Sequence, residues 1–195
     1  MAKKVLAFLA DGFEEVEAVT PIDYLRRTGV EVTVAAIGKD KQVTGSHNIS
    51  LIADTTIAAL EEAGQFNAAC WDGVFVPGGM PGAANLAACA PAGKLFREMA
   101  AAGKIIAAIC ASPAVFLAPL GLLKGKKFTC YPGMESKVAS LADGGGNWLA
   151  EKVVVDGNLV TSRAPGTAVN FSLTLAELFA GKEAAEKLSS GSLLS

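Results

Sequence analysis

The chain has 195 residues, 51% of them hydrophobic, and a formal net charge of −2. That length is enough for one domain spanning residues 1–195 with a substantial core. The near-neutral balance, without any run rich in Lys or Arg, excludes a basic nucleic-acid surface, and no apolar run approaches the roughly 20 residues of a membrane helix.

In chain order, short apolar runs alternate with helical patterns. After Met-Ala-Lys-Lys, residues 5–10 read as a strand, too short for a signal-peptide core, so the expectation is a soluble cytoplasmic protein. Residues 15–28 follow as a helix and residues 31–36 as a second strand. Residues 42–52 suggest a hairpin turning near Gly45–Asn48, and Asp54 reads as the cap of a helix reaching about Ala63. The run "DGVFVPGG" supplies a strand ending at Pro77, and residues 91–102 a helix closed by Gly103. Residues 105–109 form the next strand, with a helix from about Ser112. "KFTC" at 127–130 is a strand, 134–141 a short helix, and Gly144–Gly146 a loop. "VVVDGNLVT" carries a hairpin signal, with Asp156-Gly157 at the turn. Residues 167–180 and 182–189 close the chain as helices. Continuous apolar strands alternating with helices imply parallel strands buried on both faces, hence a doubly wound α/β sandwich with hairpin additions.

In such sheets ligands sit beyond the C-terminal strand ends. Four segments fall there: residues 11–17, 77–82, 110–113 and 130–133. The glycines of Gly78-Gly79-Met80-Pro81-Gly82 miss the G-x-G-x-x-G spacing, and Pro81 lacks an amide hydrogen for a phosphate. A tight turn is the plain reading; the functional one aims the Gly79 amide into a cleft as an oxyanion donor.

Cys110 ends a buried strand, and its small neighbours Ala108, Ala111 and Ser112 permit the sharp turn of a nucleophile elbow. A helix starting just after it would favour thiolate; the plain alternative is an inert buried cysteine. Cys70 and Cys89 read as filler. Cys130 also ends a strand, but Tyr-Pro-Gly does not start a helix after it. Disulfides are not expected in a reducing compartment, and without C-x-x-C and with His47 as the one histidine, neither is a metal site.

A nucleophilic thiol needs a proton partner. His47 lies in a loop and reads as a solvated polar residue, which leaves the carboxylates Glu14, Glu15 and Glu17. Acidic residues in a first helical turn ordinarily complement the helix dipole. Glu17, however, borders the apolar stripe of Ala18, Ile22 and Leu25 and is expected to be half-buried. Pro21 removes the amide that would bond its carbonyl. Burial raises a carboxyl's pKa, so a protonated Glu17 could donate a hydrogen bond to a thiolate.

Taken together, D-G-x-E-E-x-E, V-x-V-P-G-G, A-A-I-C-A-x-P and T-S-R-x-P-G-T resemble the DJ-one/ThiJ/PfpI superfamily, in its Parkinsonism-associated deglycase branch, over about residues 4–185. The resemblance implies a flavodoxin-like three-layer sandwich with a mostly parallel sheet. It makes Cys110 the oxidation-prone nucleophile and Glu17 its protonated partner, with Gly79 and Ala111 supplying backbone amides. It also implies a homodimer with the glutamate-bearing helix at the interface, and chemistry that needs no cofactor. The activities it brings are conversion of methylglyoxal to lactate (glyoxalase III type), deglycation of early sugar adducts, oxidative-stress sensing and chaperoning. Four departures stand out. Tyr131 replaces a histidine, Gly45 a cysteine, His47 an arginine and Ala164 a glycine found in some members.

The first expectation is therefore an enzyme acting on small 2-oxoaldehydes or glycated substrates through Cys110 and Glu17. The rival is an oxidative-stress sensor or chaperone in which Cys110 becomes sulfinic acid. A cysteine amidase or protease lacks a histidine base. The mixed apolar and charged faces of the 15–28 helix independently suggest a dimer.

Overall fold

A continuous apolar strand is stable only when both of its faces are covered, and the first strand, β1 (Lys4–Leu9), is built that way. Val5, Ala7 and Leu9 join one buried cluster, while Leu6 and Phe8 join another on the opposite face. The computed structural model describes residues 2–139 and 145–194.

After β1 come α1 (Glu15–Arg27), β2 (Glu31–Ala36), β3 (Gln42–Thr44), β4 (Ser50–Ile52), β5 (Thr55–Thr56) and α2 (Ile57–Glu62). The middle of the chain holds β6 (Gly73–Val76), α3 (Gly82–Ala88), α4 (Ala90–Ala101) and β7 (Ile105–Ile109). Then follow β8 (Lys127–Phe128), α5 (Glu135–Ala139), β9 (Asn147–Trp148), β10 (Val153–Asp156), β11 (Leu159–Ser162), α6 (Ala168–Ala180) and α7 (Lys182–Gly191).

Seven strands form the main sheet in the order β10-β11-β7-β6-β1-β2-β5. Its pairings are parallel except β10 with β11, the hairpin that turns at Gly157. The fold is thus a flavodoxin-like α/β sandwich with a hairpin added to one edge. α1, α6 and α7 cover one face, burying Ala18, Leu25, Phe171, Leu175 and Leu188. α2, α4 and residues 113–117 cover the other with Ile57, Leu95, Phe96, Met99 and Phe116. β1 lies between β2 and β6, so the connections reverse direction there, and the crevice beyond the C-terminal ends of β1, β6 and β7 is the place where this topology binds ligands.

Several local expectations are corrected. Asp54 does not cap α2; its carboxylate accepts from the Val34 amide at 2.8 Å and pairs with Arg26 at 2.7 Å. Thr56 is the cap, its hydroxyl accepting from the Ala59 amide at 3.2 Å. The helix expected from Ser112 is a single π-type turn, Pro113–Leu117. β8 stops at Phe128 and pairs in parallel with β9 outside the main sheet. α3, between two glycine-rich and alanine-rich stretches, had no amphipathic signal and was not anticipated. Of the 144–146 loop, Gly144 lies outside the described residues, as do residues 140 and 141 of the expected 134–141 helix.

Candidate active site

Three strand ends build the site, and the backbone does most of the positioning. Cys110 follows β7 directly and has φ +65°, the left-handed region that a β-carbon disfavours. Both of its peptide groups are tied down. Its amide donates to the Ser162 carbonyl at 3.0 Å, and its carbonyl accepts from the Tyr131 amide at 2.8 Å. The Ser112 hydroxyl bonds back to the Pro77 carbonyl and joins the elbow to the end of β6. Cys110 itself therefore stands at the strained corner between β7 and the turn that follows.

Glu17 sits in the first turn of α1 and is completely buried rather than half-buried. Glu14 caps the helix, its carboxylate accepting from the Glu17 amide at 2.7 Å. Glu17 Oε2 accepts from the Gly78 amide at 2.8 Å, whereas Oε1 has no conventional hydrogen-bond partner. Cys110 is the neighbouring group that acts on the carboxyl most strongly after burial.

The amides of Gly79, which has φ +86°, and of Ala111 favour the thiolate form of Cys110. Gly78 explains the closeness of the set: a β-carbon there would lie 2.6 Å from Cys110 Cβ and 2.7 Å from Glu17 Oε2. From the sequence, Gly78 is only part of a glycine-rich turn and Glu14 only one of three candidate carboxylates. The adjacent glycine pair after a strand was the available signal for one, and an acidic residue at the helix N-cap for the other.

The electrostatics follow from burial. Removing Glu17 from water raises its pKa to about 7, against the lowering influence of hydrogen bonds from Cys110 and Gly78. The Cys110 thiol is also raised, first by burial and then by a Glu17 carboxylate, while the amides of Gly79 and Ala111 pull it down. This corrects the expectation of a thiol acidified by a helix terminus. The π turn begins with Pro113, which has no amide hydrogen, so two backbone amides remain as the favourable donors. Two negative charges in one buried site would repel strongly, so the pair keeps at least one proton between them. A thiolate at Cys110 goes with a protonated Glu17.

The other candidates stand apart from this pair. Cys130 is fully buried in the cluster on the opposite face, and burial with the nearby Glu135 pushes its thiol up to about 12. Cys70 and Cys89 are partly exposed. Tyr131 is 46% exposed and touches the site through its backbone amide. The Ala164 amide bonds the Thr167 hydroxyl at 3.0 Å in the loop after β11. His47 is exposed, but it is not merely solvated: its ring meets Glu15 Oε2 at 2.9 Å. Among the described residues, Glu14, Glu15 and His47 are spaced within 4.8 Å, as a cation would need. One Glu14 and both Glu15 oxygens already accept hydrogen bonds.

Comparison with known proteins agrees with this arrangement of motifs. Residues 3–178 match the family model described as "DJ-1/PfpI family". Protein DJ-1 homolog B of Arabidopsis thaliana is 41% identical over 187 residues, covering 96% of this chain but 40% of that protein. The chain thus spans less than half the length of that plant relative. A Pyrococcus abyssi protein named a deglycase is 36% identical over 166 residues, 84% of this chain and 91% of its own. Among solved structures, oxidized DJ-1 of Toxoplasma gondii superposes with a TM-score of 0.87 at 40% identity, over 98% of both chains.

Proposed function

The chain belongs to the DJ-1/PfpI family, and we propose that within it the protein is a cofactor-independent cysteine enzyme acting on small 2-oxoaldehydes or on early glycation adducts. The observation that carries the proposal is the buried pairing of Cys110 with Glu17 under two backbone amides. Cys110 thiolate adds to the aldehyde carbon, forming the C–S bond of a hemithioacetal, and the amides of Gly79 and Ala111 stabilise the oxyanion. Glu17 first gives its proton to that oxyanion. The carboxylate so formed removes the proton from the same aldehyde carbon and returns it to the neighbouring carbonyl carbon, while the hydroxyl proton passes to the former ketone oxygen. The aldehyde carbon is thereby oxidised to a thioester and the ketone carbon reduced to an alcohol, with no external electron acceptor. Water then releases the 2-hydroxy acid and the thiol. A carboxyl whose pKa lies near 7 is suited to giving and taking a proton at neutral pH. The Pyrococcus abyssi relative's name, deglycase, supports the same class of substrate.

Cys110→Ser is the direct test. With methylglyoxal as substrate, wild type should produce lactate and the variant none above background, because a serine hydroxyl in this site has no base strong enough to ionise it. Equal turnover by both proteins overturns the reading. A second reading, oxidation sensing, is favoured by the same groups: a protonated Glu17 and two amides would hold a sulfinate on Cys110. A reduced protein without aldehyde turnover, in which peroxide modifies Cys110 before Cys130, would select the sensor.

The protein is further proposed to act as a homodimer. Val16 and Val19 on α1 and Ile49 and Ile52 on the hairpin are 44–71% exposed, and Val19 and Ile52 line one groove with Ile22 and Leu51. Light scattering at micromolar concentration should give the mass of two chains for wild type, and Ile52→Glu should shift it toward one. A wild-type monomer removes the dimer from the account.

A further inference from the structure

The turn of the β3–β4 hairpin is organised around a carboxylate that belongs to another element. Glu15, on α1, is buried, and its Oε1 accepts from the His47 amide at 2.7 Å and the Ile49 amide at 3.4 Å. Its Oε2 meets the His47 ring at 2.9 Å and the Ser46 hydroxyl at 3.4 Å. Gly45 makes room for it: a β-carbon there would overlap the Glu15 carboxyl group. A cysteine at this position, as in some members of the family, would require Glu15 to move.

The hairpin leads on to the active site through backbone bonds. The Gly12 amide donates to the Thr44 carbonyl at 2.8 Å, and the Ser46 amide to the Phe13 carbonyl at 2.7 Å. The loop thus gripped then holds the oxyanion loop. The Glu14 amide donates to the Gly78 carbonyl at 3.0 Å, and the Gly82 amide to the Gly12 carbonyl at 3.1 Å. Glu15 is also two residues from Glu17 on the same helical turn.

We propose that Glu15 and His47 form a proton-gated clasp that holds the hairpin against the Asp11–Glu14 loop and so positions Gly79 and Glu17 around Cys110. His47 is a positioning residue in this arrangement, acting through Glu15. The charged groups facing its ring are Glu15 on α1 and Glu14 at the helix N-cap, and both favour the protonated imidazole. Hydrogen bonding to Glu15 raises the His47 pKa first, followed by the charges of Glu15 and Glu14. A raised histidine pKa means that the contribution of the ion pair is complete below the ordinary value near 6.5 and fades as pH rises through the folded value. On the acid side, burial of Glu15 is outweighed by its bonds to His47 and the turn, so its pKa is lowered and the clasp opens only below the ordinary carboxyl range. The clasp is therefore closed in mildly acidic solution and loosens toward alkaline pH.

The inference rests on the reading of Cys110 as the nucleophile but not on turnover of any aldehyde, so it is tested at the sulfur. As the one histidine of the chain, His47 gives a single imidazole titration by NMR. The iodoacetamide alkylation rate at Cys110, followed by peptide mass spectrometry, is expected to show a step of at least threefold at the His47 titration point. His47→Ala should keep only the change that Glu17 itself brings near 7, and so should His47→Arg, permanently charged, which also keeps the low-pH behaviour. Glu15→Gln should move the His47 titration down toward its ordinary value. In wild type alone, hydrogen-exchange protection of the Ser46, His47 and Ile49 amides should fall as His47 deprotonates, a readout that no variant's folding can compromise. Superimposable alkylation profiles for wild type and His47→Ala, or constant amide protection across the titration, overturn the clasp. Loss of aldehyde turnover with these results intact would instead overturn the proposed enzyme alone.

Discussion

Glu17→Gln is expected to slow aldehyde turnover at least 100-fold while making the protein more stable at alkaline pH. The loss follows from the role assigned to the carboxyl: glutamine can donate a hydrogen bond toward Cys110 but cannot take and return a proton, and positioned general acid–base groups are worth about 10²–10⁴ in rate. The gain follows from linkage. Folded Glu17 titrates near 7, against an ordinary value of 4.5. Below 4.5 both folded and unfolded chains carry the proton, and burial of the neutral acid costs nothing extra through ionisation. As pH rises from there through 7, the unfolded chain releases a proton that the native site retains, and stability falls by about 3 kcal/mol in all. A glutamine has no such charge to bury and can still accept from the Gly78 amide. At pH 8 the variant should therefore melt higher than wild type by roughly 6–12 °C, at 2–4 °C per kcal/mol for a chain of this length. At pH 4 the two should coincide. Calorimetry at the two pH values decides it, since a pH-independent difference would mean that packing, not ionisation, separates the proteins.

The second large effect is expected from the smallest change, Gly78→Ala. The added β-carbon would lie 2.6 Å from Cys110 Cβ, 2.7 Å from Glu17 Oε2 and 3.0 Å from the Ala111 amide nitrogen. Two of these neighbours cannot yield cheaply: Cys110 is held at both peptide groups, and Ala111 is backbone. Glu17 would be pushed from the sulfur, and the Gly78 amide would lose its carboxylate acceptor. Turnover should fall by at least 100-fold, and urea denaturation should show a loss of about 1–3 kcal/mol, the usual cost of overpacking. The same substitution at Gly166, where a β-carbon would meet nothing within 4 Å, is the control and should leave turnover and stability close to wild type. Similar effects at both positions would show that the closeness of the Glu17–Cys110 pair is not what Gly78 secures.

Local chemistry made much of the protein legible from its residues. The unbroken apolar runs at 5–10 and 105–109 could only be strands covered on both faces, and Asp156-Gly157 between β-branched runs could only be a hairpin. Cys110 at the end of such a run, among residues small enough for a sharp turn, marked the elbow before its left-handed backbone was visible. These signals survive because strand periodicity, turn formation and steric freedom are decided over a few neighbouring residues.

What only the tertiary structure decided was everything set by groups distant in sequence. Glu17 looked half-buried from its helical stripe, because a helical wheel contains α1 but not the Gly78 loop that closes over it. The cysteine looked acidic from the helix expected after it, yet the chain forms one π turn there, and the thiol's state is governed by a carboxyl on another element. His47 looked solvated because nothing in its neighbourhood along the chain announces Glu15. Charge, burial and proton affinity depend on the sum of contacts brought together by the sheet order. Desolvation and Coulomb interactions act through space, and no pattern along the chain records that distance.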